Sequence, residues 1–114
     1  MSKFLYLFWN KPSNWNAQSP EEMERRMKKW MGWMDSLKDA GHFKGAGERL
    51  EDTGSLVRGK AKSVTDGPYA EAKDTIGGYI VVEAKDLKEA VELSKGCPVL
   101  EGDGLVEVRP IASM

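Results

Sequence analysis

Lys3 to Trp9 read KFLYLFW, a lysine followed by six consecutive aromatic or aliphatic side chains. Such a run reads as a strand, with Phe4, Tyr6 and Phe8 pointing one way and Leu5, Leu7 and Trp9 the other. A strand apolar on both faces has to be buried on both faces. Helices of the same chain can cover one side, but something else must cover the second.

The chain supplies those helices. Ser19-Pro20-Glu21-Glu22 is a helix start: serine caps, proline suits the first helical position, and Glu22 sits where a capping box requires it. Met23, Met27, Trp30, Met34 and Leu37 then recur at spacings of four and three, predicting one apolar stripe flanked by Met31 and Trp33. Ala40-Gly41 closes that helix. Asp86 and Glu89 open a second one, with Leu87, Ala90, Val91 and Ser94 as a narrower stripe, closed by Gly96 and Pro98.

Between the helices, Phe43 to Leu50, Leu56 to Arg58 and Ala61 to Thr65 read as short strands broken by glycines. Asp66 to Thr75 reads as a polar loop, Tyr79 to Ala84 as a strong strand and Leu105 to Arg109 as the last one. This order predicts a single domain, residues 1–114, of α+β class: a ferredoxin-like antiparallel sheet with two helices on one face. The other sheet face, which carries half of the first strand's apolar residues, then needs a cover. A second copy of the chain in a C2 contact is the simplest one, so the expected partner is the chain itself, as a homodimer.

Composition removes other classes. Lys plus Arg number 17 against 18 for Asp plus Glu, which leaves no electrostatic footprint for nucleic acid. The Phe4–Trp9 run is too short to span a bilayer and lacks the flanks of a signal peptide, so no membrane partner and a cytoplasmic location are expected. Cys97 is the sole cysteine and His42 the sole histidine, which argues against a disulfide or a dedicated metal site. Gly45-Ala46-Gly47 lacks the spacing of a phosphate-binding loop, and no cofactor is expected.

Candidate functional residues cluster in the polar loop. Asp66-Gly67-Pro68 is either a turn, with aspartate bonding its own backbone, or a rigid mount that holds a carboxylate at a pocket mouth. His42 follows the first helix and is either an exposed capping residue or, if the Asp66 turn comes beside it, half of an Asp–His pair. Tyr69 and Trp15 are candidate walls over a ligand. Arg49 and Arg58 could meet an anionic substrate, and Glu71 and Lys73 a polar one, although solvated surface charges are the commoner case. Cys97 before Pro98 reads as a small buried apolar residue rather than a nucleophile.

Asp66-Gly67-Pro68-Tyr69, with Glu71, Lys73 and Gly77-Gly78-Tyr79, resembles the D-G-P-[FY]-x-E-x-K-x-x-x-G-G-[FY] signature of the DGPF group of YCII-related proteins. The resemblance continues through Cys97-Pro98 to Val106-Glu107-Val108-Arg109-Pro110 and takes in the opening strand and the Ser-Pro-Glu-Glu helix start. It implies a dimeric α/β barrel of ferredoxin-like subunits. Many YCII-related domains carry a His and an Asp facing a pocket. Here the first helix has no histidine, and Cys97-Pro98 stands where the family has Asp-Pro. The functional expectation is a small-molecule enzyme doing cofactor-free proton transfer, with Asp66 as base, His42 as partner acid, and Trp15, Gly67, Pro68 and Tyr69 around the ligand. The alternative is a non-catalytic ligand-binding or transcription-associated regulatory module.

Overall fold

The computed structural model describes residues 1–11, 19–51, 53–67 and 75–113. Its elements are β1 (Ser2–Asn10), α1 (Pro20–Asp39), β2 (Phe43–Arg49), β3 (Gly54–Arg58), β4 (Ser63–Gly67), β5 (Thr75–Ala84), α2 (Leu87–Ser94), a 3-10 turn (Pro98–Glu101) and β6 (Leu105–Pro110). The caps act as the sequence predicts. Ser19 Oγ accepts from the Glu22 amide at 3.2 Å, and Asp86 Oδ1 accepts from the Glu89 amide at 2.9 Å. Gly41, at φ +81°, takes the left-handed conformation that ends α1.

β1 lies inside a four-stranded antiparallel sheet of order β2-β5-β1-β6. The fold is α+β and ferredoxin-like. One face of the sheet holds the core: Phe4, Tyr6 and Phe8 of β1 and Ile80, Val82 and Ala84 of β5 meet Trp33 and Leu37 of α1 and Ala90 of α2. Tyr6 reaches furthest, its hydroxyl donating to the Ala90 carbonyl. That bond satisfies the polar end of a ring with no exposed surface.

The opposite face carries Leu5, Leu7 and Trp9 of β1 with Tyr79 and Val81 of β5, all half-buried. Register confirms the grouping: Leu5 pairs with Val81 and Leu7 with Tyr79. The chain measures 20 Å through its thinnest direction, about the depth of one sheet and one helix layer. Among the described residues, no helix packs on this face.

Three expectations need correction. The strands around Leu56 and Ala61 exist but stand outside the main sheet, as a separate β3–β4 ribbon paired from Gly54↔Gly67 to Arg58↔Ser63. The apolar stripe of α1 is covered only in its second half: Leu37 is buried and Trp30 and Met34 pack against the core, joined by the flanking Trp33, while Met23, Met27 and the flanking Met31 are exposed. On α2, Leu87 and Val91 are exposed and only Ala90 and Ser94 are buried, because small residues let that helix lie close to Tyr6.

Candidate functional site

The first turns of α1 stand over the edge of the sheet where β2 meets β5, and Gly47, Gly77 and Gly78 leave gaps in the sheet surface there. Gly47 of β2 pairs with Ile80, and Arg49 with Gly78. A Cβ on Gly47 would lie 2.5 Å from the Tyr79 carbonyl oxygen, and one on Gly78 would lie 2.9 Å from that of Glu48. Close approach of the two strands therefore requires glycine at both places. With no side chain at these two positions, a cleft of about 290 Å³ opens between helix and sheet.

Its apolar wall is Phe8, Met23, Met27, Trp30, Met34 and Ile80. Trp30 is held edge-on against Phe8, with ring centroids 4.9 Å apart and planes at 87°, an arrangement that fixes an otherwise mobile ring. Methionines on the facing helix supply an adaptable surface. Arg26 of α1 and Arg49 of β2 bring two guanidinium groups to the same cleft. Alternation along β2 turns Gly47 and Arg49 toward the helix and Glu48 away from it.

Of the residues expected from sequence, Arg49 lines the cleft, and the others lie elsewhere or outside the described residues. Trp15, Pro68 and Tyr69 lie outside the described residues, as do Glu71 and Lys73. Asp66 and Gly67 belong to β4 rather than to a turn, and Asp66 is exposed, opposite Ser55. His42 is half-buried at the other end of β5 from the cleft. Its Nδ1 donates to the Glu83 carbonyl at 2.7 Å, and its own carbonyl accepts from the Glu83 amide at 2.7 Å. Glu83 is five residues along β5 from Gly78, roughly 17 Å at the rise of a strand. Among the described residues, no hydrogen bond or ion pair joins His42 to Asp66, and neither lines the cleft.

Arg26 lies off the apolar period of α1, so no helical pattern marks it as a cleft residue. Arg49 was named, but its partner across the cleft was not. The available signal was Gly77-Gly78 entering a strong strand, since paired glycines in a strand mark a place where something approaches the backbone.

Cys97 is buried, and burial pushes its thiol up to about 12. It stays protonated at neutral pH, which removes the thiolate a nucleophile needs. In the unfolded chain the thiol ionises near its ordinary 9, so above that pH the unfolded state binds fewer protons than the folded one. Stability should fall as pH rises from 9 toward 12, by up to about 1.4 kcal/mol per unit from this group. Urea midpoints at pH 8, 9 and 10 test this: Cys97→Ala should flatten the decline, and an unchanged slope would refute it. Tyr6 is raised from the phenol range in the same way, mainly by burial, and adds to the loss at higher pH.

Among the described residues there is no group of three or more His, Cys, Asp or Glu that could hold a metal ion, and no helix is long and apolar enough to cross a membrane. Comparison with known proteins shows that the family model of the YCII-related domain matches residues 4–114. The chain is also similar to an uncharacterized protein of Rhizobium meliloti (strain 1021), with 31% identity over 114 residues, covering 96% of this chain and 91% of that protein.

Proposed function

The chain belongs to the YCII-related domain family, and on that premise we propose that it is a small-molecule-binding protein whose ligand enters the cleft between α1 and the β2–β5 edge. One observation carries the reading: Met23 and Met27, 43% and 59% exposed, face a floor without side chains at Gly47, Gly77 and Gly78. Each methionine left open forgoes on the order of 1–2 kcal/mol of burial, which an apolar ligand would restore. Binding is the reading the geometry supports: alternation turns Glu48 and Tyr79 of the described lining toward the opposite sheet face, and His42 and Asp66 stand away from the cleft.

The proposal includes a homodimer in which a second copy covers Leu5, Leu7, Trp9, Tyr79 and Val81. The support is the apolar strip of Leu5, Leu7, Trp9, Tyr79 and Val81 on a face that this chain's helices leave open, bordered by Glu107 and Arg109 of β6.

The test of the site is a methionine-methyl NMR titration with octan-1-ol as the probe. The expected result is saturable movement of the Met23, Met27 and Met34 signals while Met1 and Met31, exposed and away from the lining, stay still. Equal movement of Met31, or no movement at all, would overturn the site.

A further inference from the structure

We propose that the ligand of this cleft is a carboxylate with an apolar body, its acidic head held between Arg26 and Arg49. The inference rests on the cleft being a ligand site and adds the chemistry of what it selects.

The argument begins with which cations have partners. On the outward surface of α1, Lys28 pairs with Glu24 at 3.6 Å and Lys29 with Glu101 at 2.8 Å. On β6, Arg109 lies 3.7 Å from Glu107. Arg26 and Arg49, the two cations of the cleft, make no ion pair among the described residues. They come from opposite walls, one from the helix and one from the strand, and Arg26 is half-buried against the apolar lining.

Two like charges brought to one cleft repel each other, Arg26 from half-buried surroundings and Arg49 from an exposed rim where solvent screens it in part. A single anion placed between them converts the repulsion into two attractions. The guanidinium fork matches a carboxylate in shape, donating two parallel N–H bonds where an ammonium would offer only a point charge. Glu48, the acidic residue among the described lining, does not quench them, because alternation aims its side chain at the opposite sheet face, with Tyr79. The rest of the ligand must be apolar, since Met23, Met27, Trp30 and Phe8 offer it no hydrogen-bonding group other than the indole N–H. A cleft of about 290 Å³ lies at the small end of ligand sites, which suits a short acyl or aryl acid better than a nucleotide.

The experiment compares octanoate with octan-1-ol, ligands of matched apolar length, by the same methionine-methyl titration. Octanoate should bind the wild type at least tenfold more tightly than the alcohol. In Arg26→Met/Arg49→Met its affinity should fall about tenfold or more, while that of the alcohol stays within a factor of two and shows the cleft intact. Equal affinity of acid and alcohol for the wild type would overturn the carboxylate inference and leave the site standing. A preference for acid that survives the double substitution would overturn the assignment to these two arginines. If neither compound moves the cleft methyls, the site and the inference fall together.

Discussion

Replacing Trp33 with alanine is expected to lower the unfolding free energy by about 3–5 kcal/mol, measured by urea denaturation. The ring is 8% exposed and touches three other aromatics: it stacks with Tyr6 at 6.1 Å and meets Phe8 and Trp30 edge-on at 6.0 and 5.8 Å. Its Nε1 also donates to the Leu93 carbonyl at 3.1 Å, so one side chain fastens α1 to the last turn of α2. Removing it opens a cavity between both helices and β1 and leaves that carbonyl with one fewer donor. Trp33→Phe should cost less, since most of the apolar volume remains and chiefly the indole bond is lost. Met31→Ala, on the exposed side of the same helix, should stay within about 0.5 kcal/mol. A loss at Trp33 no larger than the loss at Met31 would mean the core is organised differently.

The second large effect concerns association. In the proposed dimer Leu7 stands in the middle of the open sheet face, between Tyr79 of β5 and Glu107 of β6. Leu7→Glu would bring a carboxylate from each subunit to a contact related by two-fold symmetry, beside Glu107, which already lies against Arg109, the cation the register puts on this face. Burying such an unpaired charge costs about 3–5 kcal/mol, enough to weaken the dimer on the order of a thousandfold. Sedimentation equilibrium should show a dimer for the wild type and a monomer for the variant. The variant monomer should retain its near-ultraviolet circular dichroism, because Leu7 points away from the Tyr6 and Phe8 core. A wild type that sediments as a monomer at high micromolar concentration would remove the dimer from the proposal.

What was legible in the sequence follows from where each signal resides. Alternation in KFLYLFW is local, so the two-faced strand at the centre of the sheet could be read directly. The caps at Ser19 and Asp86 are equally local, and both helices begin where they imply. The stripe of α1 was read less well, because helical period alone cannot say which part of a broad apolar face is pressed down. The core chose Trp33, whose indole N–H could reach an acceptor on α2, and left Met23 and Met27 over glycine. The cleft itself had no local signature. It arises where side chains are missing from two strands far apart in sequence, and only their pairing shows that the gaps coincide. Asp66 shows the reverse case: Asp-Gly-Pro carries turn-forming chemistry, yet the ribbon's pairing carries the strand through Gly67.

The Leu50 amide donates to the Gly77 carbonyl at 2.8 Å, so the chain leaves the main sheet and re-enters it at the same place. Topologically, β2 and β5 are neighbours that need no more than a short reversal between them, and the ribbon of β3 and β4 is an excursion from a hairpin already closed. In the history of such a protein, the excursion could lengthen, shrink or change its charges without any compensating change in the core around Tyr6 and Trp33. Its root, however, stands beside Arg49 and Gly77 at the rim of the cleft. The apolar wall of the cleft, Phe8, Trp30 and Ile80, belongs to that same core, so what the cleft admits can change freely only at its rim, where the excursion is rooted, while its wall is bound to the framework.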